Sequence, residues 1–179
     1  YRREMEMRHG WDGEVGRHFL AYAGGEPVGT LVVNTSEWDN RDLAWLELDI
    51  APAHRRRGHG TALLEAAYDV SRAMGRTLLG LDGWEGESTR GFAAATGFEE
   101  KSRAINRRQH LAELPDGLVQ KVRDEAASWA VDYELVRISG RSPEELLAPL
   151  AELTAAINDS PLDDLELEDE VYTAERVRS

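Results

Sequence analysis

Residues His54 to Thr61, with the sequence HRRRGHGT, combine residue types that could bind an anion. Three consecutive arginines precede Gly58 and Gly60, and an apolar run with helical spacing follows them. The first backbone N–H groups of a helix have no partner within it, and the helix dipole places partial positive charge there. Glycine lets a phosphate approach such amides closely. The stretch is therefore either a phosphate-binding loop, a basic patch for nucleic acid, or a solvated turn whose glycines only form the turn.

The charge of the whole chain argues against nucleic-acid binding. The sequence has 34 acidic and 21 basic residues among 179, which gives a formal net charge of −13. Proteins that bind nucleic acid usually carry a basic excess on the binding domain. The stretch also lacks the Gly-Lys-Ser/Thr of a Walker loop and the Gly-x-Gly-x-x-Gly of a dinucleotide fingerprint. The charge balance thus disfavours the nucleic-acid patch, whereas the phosphate-binding loop and the solvated turn both stay open on these residues.

The absence of cysteine excludes disulfides, thiolate nucleophiles and thiolate metal ligands. No apolar run approaches the roughly 18 residues of a membrane helix, and no signal-peptide pattern opens the chain. His54 and His59 do not form a His-Glu-x-x-His site, so we expect no metal. These features predict a cytoplasmic protein that binds neither nucleic acid nor a membrane.

The hydrophobic pattern predicts the elements that position this loop. Alternating residues predict strands over 18–23, 27–35 and 42–50, and Gly24-Gly25 predicts the turn between the first two. Further on, the pattern predicts a helix over 60–75, a strand within 76–84, a helix over 88–96 and a strand over 99–114. The order is a meander followed by a β-α-β crossover. It predicts an α/β (α+β) fold with a mixed, mostly antiparallel sheet flanked by helices.

The remaining segments are less regular. Tyr1 to Arg17 predict the end of a helix and a loop. Towards the other end, the pattern predicts a helix over 115–130, a strand over 131–140 and a second helix. For that second helix we expect Ser142 as N-cap, Pro143 in the first position and Glu145 as the capping-box acid. The last residues form a very acidic tail with weak periodicity.

The segment LELDIAPAHRRRGHGTALLEAAYDVSRAMG resembles motif A of the GNAT superfamily of acyl-CoA-dependent N-acyltransferases. Arg55, Gly58 and Gly60 match the three signature positions of Arg/Gln-x-x-Gly-x-Gly/Ala. The later FAAATGF is similar to the family's Phe-x-x-x-x-Gly-Phe closure. The resemblance covers about residues 18–100. It implies the GNAT fold without its N-terminal strand and helices. Only a short part of one such helix is expected before His18.

The resemblance implies acetyl-CoA as the co-substrate. Amides of the loop would bind the pyrophosphate, and the pantetheine arm would pair with the preceding strand. A splay after that strand would expose an amide that polarises the thioester, and the amine would attack directly, without a covalent enzyme intermediate. The implied cofactor-binding residues are Leu48, Asp49, Ile50, Arg55, Arg56, Arg57, Gly58, His59, Gly60 and Thr61.

Direct transfer needs a group that takes a proton from the attacking ammonium. Glu47 is the first candidate for this catalytic base, because it points away from the aliphatic strand face and towards the expected acetyl group. Asp49 is the second candidate. Either carboxylate can equally be only solvated or ion-paired. The family's tyrosine after the helix phenylalanine is replaced by Ala93, so no general acid is identified, and Tyr68 is expected to pack.

Two functions stay open on this basis. One is an N-acetyltransferase that transfers an acetyl group to a primary amine of a small molecule or peptide. The other is a catalytically degenerate acyl-CoA-binding or structural lobe.

The chain also resembles the first copy of bacterial, actinobacterial-type tandem GNAT proteins. From Tyr133 onward it is similar to the opening strand and helix of another GNAT domain. This predicts a partial GNAT domain over 1–114, followed over 115–179 by a connecting helix, a strand and the start of a second copy. That second copy is the expected partner. The segment Tyr133–Ser139 would complete the first sheet.

Overall fold

A four-stranded sheet lies at the centre of the structure, a computed structural model that describes residues 16–162 and 164–178. Its strands are β1 (Arg17–Ala23), β2 (Glu26–Thr35), β3 (Leu43–Ile50) and β4 (Leu78–Leu81), in the order β1-β2-β3-β4. The β1–β2 and β2–β3 pairs are antiparallel, and the β3–β4 pair is parallel. The predicted mixed, mostly antiparallel sheet is confirmed. The helix end and loop predicted before residue 16 lie outside the described residues.

Helices follow the strands in the predicted order. They are α1 (His59–Ala73), α2 (Glu87–Thr96), α3 (Leu118–Trp129), α4 (Leu147–Thr154) and α5 (Ala174–Arg178), with 3-10 turns at Pro52–His54, Leu111–Glu113, Glu144–Leu146 and Ala155–Asp159. The chain groups into two compact units. One contains residues up to Ser102 together with those from Glu144 onward, and the other is Arg103–Pro143. The expected boundary at residue 114 falls inside the second unit, and the assignment of a second GNAT copy stays a prediction.

The core of the first unit forms where α1 packs on one face of the sheet. Helical spacing brings Leu63, Leu64 and Ala67 to the same side of α1, and all three are buried. They contact the inward-facing residues of β2 and β3, which are Leu31, Val33, Ala44 and Leu46. Because side chains alternate along a strand, Trp45, Glu47 and Asp49 lie on the sheet face away from α1. We call this the outer face.

Two predicted strands are wrong. Residues 99–114 and 131–140 pair with no strand in the described parts of the chain, so Tyr133–Ser139 does not complete the sheet. The physical reason is that neither segment buries a face. Residues 99–113 are all exposed, and so are Tyr133 and Leu135 of the second segment. Alternation of apolar and polar residues stabilises a strand only when one face packs against something.

The predicted capping box of the second C-terminal helix is also wrong. The α-helix begins at Leu147, after the 3-10 turn Glu144–Leu146, and no side chain caps it. The turn is held from outside instead, because Arg178 of α5 donates hydrogen bonds to the Glu144 carboxylate. The same contact raises the pKa of the Arg178 guanidinium.

The acidic tail folds back onto the loop between β2 and β3. Asn40 and Glu168 exchange hydrogen bonds, and the Val171 N–H donates to Asp39 Oδ1 at 3.0 Å. Arg176, only 3% exposed, forms an ion pair with the buried Asp39. We call this pair the tail lock. It anchors the end of the described chain to the sheet unit.

The tail lock is lined by aromatic rings. The Arg176 guanidinium lies 4.2 Å from the centroid of the Tyr172 ring and 5.8 Å from that of Trp38. Its Nη1 also donates to the Val171 carbonyl at 3.1 Å. The buried charge is thus paired, hydrogen-bonded and covered by π systems, which together offset its loss of water.

Candidate functional site

The arginine–glycine loop turns sharply between β3 and α1. After the 3-10 turn Pro52–His54, Arg56 has φ 61° and Gly58 has φ 83° with ψ −5°. Left-handed φ is common for glycine and uncommon for arginine. The left-handed conformations of Arg56 and Gly58 turn the chain into α1, which begins at His59.

Backbone amides of this loop point to no protein acceptor. Among the described residues, the N–H groups of 56–61 donate no hydrogen bond, and the first amide to do so is that of Ala62, to the Gly58 carbonyl at 3.0 Å. No side chain caps α1. The side chains of Arg56, Arg57 and Thr61 are exposed around these amides. Free amides, a helix dipole and basic side chains at one place form a site that can hold a phosphate.

Arg55 and Gly60 also have structural roles. Arg55 Nε donates to the Ile50 carbonyl at 2.9 Å, so this side chain braces the end of β3. A Cβ added at Gly60 would lie 3.3 Å from Cε2 of Phe92, so the absence of a side chain lets α2 pack against the first turn of α1. At Gly58 a Cβ would contact nothing within 4 Å. The requirement for glycine there is conformational.

The edge of β3 opens beside this loop. Leu43–Leu46 pair with Leu78–Leu81 of β4, and β3 then continues to Ile50 without a partner on that side among the described residues. The resemblance implied a splay at this point. The open edge includes Leu48, Asp49 and Ile50, the residues expected to pair with pantetheine.

The two candidate bases lie on the outer face. Glu47 is exposed, and its Oε1 accepts a hydrogen bond from Asn34 Nδ2 at 3.2 Å. Asp49 is exposed two residues further along and lines a shallow, mostly apolar depression of about 230 Å³ together with Leu20 and Val28. Both carboxylates can meet a substrate on this face. Their catalytic roles stay predictions.

Trp45 and Asp82 connect β3 and β4 just before the strands part. Trp45 Nε1 donates to Asp82 Oδ2 at 3.1 Å, and the indole lies over Gly80, where any side chain would overlap it. Sequence reasoning assigned Asp82 no role. The sequence offered little indication of this contact, because only the parallel register of Trp45 with Gly80 brings the side chains of Trp45 and Asp82 together.

No proton donor stands at the position of the family's tyrosine. Phe92 packs against the core, and the next residue, Ala93, is half-buried. The expected packing role of Tyr68 is confirmed, since it contacts the core cluster. The Arg72 guanidinium lies over the Tyr68 ring, 5.7 Å from the ring centroid.

The described residues contain neither a cluster of metal ligands nor a membrane-spanning helix. In the ranges 16–162 and 164–178, no three side chains of His, Asp or Glu come together in a group that could hold a metal ion. The rings of His54 and His59 are 6.4 Å apart. Within the described chain, every helix is too short or too polar to cross a membrane.

The mixed sheet, its crossover helix and the open strand edge define a domain of the α/β acyltransferase class. The profile of the acetyltransferase (GNAT) family matches residues 1–98, which is more than half of the chain. The chain belongs to the GNAT acetyltransferase family, and it is an acyltransferase by class.

Several of the solved structures to which the chain is similar are acetyltransferases. The aminoglycoside N-acetyltransferase AAC(6')-Iy in complex with CoA is 24% identical over 53% of this chain and 76% of its own, with a TM-score of 0.45. The apo aminoglycoside 6'-N-acetyltransferase AAC(6')-IG from Acinetobacter haemolyticus is 20% identical over 62% and 81%, with a TM-score of 0.46. An acetyltransferase from Trypanosoma brucei is 23% identical over 60% and 75%, with a TM-score of 0.45. No curated protein matches the chain significantly.

Proposed function

We propose that the chain transfers the acetyl group of acetyl-CoA to a primary amine of a small molecule or peptide. The observation that carries this is the row of unpaired amides at 56–61 beside the open edge of β3. The amides and the α1 dipole would bind the pyrophosphate of CoA, with Arg56, Arg57, His59 and Thr61 around it. Pantetheine would run along Leu48–Ile50 as an added strand.

The chemical step is a direct attack. The amine nitrogen forms a bond to the thioester carbonyl carbon, the C–S bond breaks, and CoA leaves as a thiolate that takes up a proton. A backbone amide in the opening between β3 and β4 would stabilise the developing oxyanion. Glu47 would accept the proton of the ammonium, with Asp49 as the second candidate. Because Ala93 offers no proton, the thiolate would be protonated from water or from the attacking amine.

Calorimetry with acetyl-CoA tests the cofactor site. Gly60→Asp places a side chain and a negative charge at the loop, so we expect acetyl-CoA binding to be lost. Gly91→Asp is the matched control, because a Cβ at Gly91 contacts nothing within 4 Å and the residue is exposed on α2. Circular dichroism should show that both variants are folded. Tight binding of acetyl-CoA by Gly60→Asp would remove the loop from the proposal.

A second candidate function is a degenerate acyl-CoA-binding or structural lobe. The observation that favours it is Ala93, where the family has a tyrosine. The two functions differ in turnover. Release of free CoA thiol with a panel of primary amines supports the enzyme, whereas acetyl-CoA binding without thiol release for every amine supports the lobe.

The tandem organisation and the location in the cell also belong to the proposal. We infer from the resemblance that a second GNAT copy lies in the same polypeptide. A natural protein with a mass close to the 20.0 kDa of this chain would refute that. A cytoplasmic location agrees with the use of acetyl-CoA, and fractionation of the source cells checks it.

A further inference from the structure

Strand β2 places a polar side chain directly beside the candidate base. In the antiparallel register, Val32 lies opposite Glu47, and Asn34 lies opposite Trp45. Asn34 is therefore a diagonal neighbour of Glu47 on the outer face, within reach of a longer side chain. Its Nδ2 donates to Glu47 Oε1 at 3.2 Å. Sequence reasoning assigned no role to Asn34.

The Glu47 carboxylate determines the orientation of the Asn34 amide. A carboxylate only accepts hydrogen bonds, so the amide must turn its NH₂ group and not its oxygen towards Glu47. The oxygen then packs against Gly16, where any side chain would overlap it. This Oδ1 is buried and has no hydrogen-bond partner in the described chain. Burying an unpaired acceptor costs free energy, and the hydrogen bond to Glu47 is the one side-chain contact of the Asn34 amide in the described chain that offsets this cost.

Asp49 provides the contrast on the same face. It lies opposite Thr30 in the register, and its carboxylate accepts no hydrogen bond from the described residues. An exposed acidic side chain without such a contact samples many rotamers. Of the two candidate bases, only Glu47 is held by a neighbouring strand.

We propose that Asn34 is a positioning residue for acetyl transfer. Its amide binds Oε1 of Glu47 and limits the rotamers of that side chain, which leaves Oε2 free to take the proton of the attacking ammonium. Holding a reacting group in one geometry lowers the entropy lost on reaching the transition state. The inference rests on the proposed function, in which Glu47 is the base.

A double-mutant cycle on turnover tests this role. The assay follows thiol release from acetyl-CoA, with the fastest of three acceptors: a diamine, an aminoglycoside and a short peptide with a free amino terminus. Asn34→Ala is expected to lower kcat about 5- to 10-fold, with the KM for acetyl-CoA unchanged within about twofold. In a Glu47→Gln background the same substitution should change kcat by less than about twofold. Gln120→Ala, which removes another amide that donates to a carboxylate, that of Asp124 on α3, is the matched control and should leave kcat unchanged.

A second cycle needs no acceptor. The free energy of unfolding in urea is measured for Asn34→Ala, Glu47→Ala and the double variant. Both single variants remove the same hydrogen bond. The double variant should therefore raise the unfolding equilibrium constant about two- to fivefold less than the product of the two single effects. Additive effects would show that the contact does not exist and would overturn the proposal.

The outcomes separate this inference from the proposed function. If Glu47→Gln lowers kcat and Asn34→Ala lowers it by the same factor in both backgrounds, Glu47 stays the base and the positioning role is refuted. If Glu47→Gln retains full kcat, the assignment of the base fails, and the role of Asn34 fails with it. If the chain binds acetyl-CoA and no variant releases thiol, the proposed transfer itself is refuted, together with any catalytic use of the pair.

Discussion

The tail lock gives the sharpest test of the structure, through the variant Asp39→Ala. Removing this carboxylate takes away the nearest counter-charge of the Arg176 guanidinium, which is 3% exposed, and leaves the more exposed Glu170 at 3.6 Å. It also removes the acceptor of the Val171 N–H. Breaking a buried ion pair on one side typically costs about 3–5 kcal/mol, because an uncompensated charge stays buried. We place the expected loss at about 3 kcal/mol, since the Tyr172 and Trp38 rings still cover the cation.

Urea unfolding, followed by tryptophan fluorescence, measures this loss. With a slope of about 2 kcal/mol/M, a loss of about 3 kcal/mol lowers the midpoint by about 1.5 M. The double variant Asp39→Leu/Arg176→Met separates an unpaired charge from lost packing. Replacing both charges by apolar residues of similar size is often close to neutral, so this variant should recover most of the stability. Asp69→Ala on the exposed side of α1 is the surface control and should change the free energy of unfolding by less than about 0.5 kcal/mol.

Two results would refute the reasoning. A loss below about 1 kcal/mol for Asp39→Ala would mean that water reaches Arg176 and that the pair behaves as a surface salt bridge. A double variant as unstable as Asp39→Ala would mean that packing at Asp39, and not the charge, holds the tail.

Three further predictions concern backbone conformation, the strand opening and a mispredicted strand. Gly58→Ala should lower the free energy of unfolding by about 1 kcal/mol, because φ is 83° at Gly58. Gly91→Ala inside α2 should raise it by up to about 1 kcal/mol, because alanine favours a helix over glycine and its Cβ meets no other atom there. Equal effects of the two variants in thermal unfolding would contradict this. Trp45→Phe keeps a ring over Gly80 and loses the N–H bond to Asp82, so we expect a loss of about 1 kcal/mol, measured in urea. Leu135→Asp should change stability by less than about 0.5 kcal/mol, while Leu147→Ala should cost about 2–5 kcal/mol. A large effect of Leu135→Asp would show that residues 131–140 are packed after all.

Local patterns predicted the sheet and its crossover helix well. Strand β3 combines an aliphatic face with a polar one, and α1 has its apolar residues at helical spacing, so one-dimensional periodicity determines both elements. The loop between them was predictable because glycine positions and a helix start define its geometry. The same reasoning placed Glu47 and Asp49 on the outer face. It could not detect the hydrogen bond from Asn34, which depends on the register of β2 against β3.

The C-terminal part shows where local patterns fail. The alternation in 131–140 predicted a strand, and the acidic tail showed only weak periodicity. Strand formation depends on a partner that alternation does not reveal, and the tail is ordered by Arg176, which contacts Asp39 across 137 positions of sequence. Two arginines in a very acidic segment, Arg176 and Arg178, were the only signal available, and a charge alone does not identify its partner.

The 137 positions between Asp39 and Arg176 impose an order of events on the chain during its synthesis. All four strands are complete by Leu81, whereas the cation that pairs with Asp39 is made near the end of the described chain. At about 5–20 residues per second, the roughly 95 residues from Leu81 to Arg176 take about 5 to 19 s to translate. During that interval Asp39 is a hydrated carboxylate on an unfinished surface, available to solvent and to chaperones. Docking of the tail then removes it from water, so Asp39 becomes buried only after Arg176 has been translated.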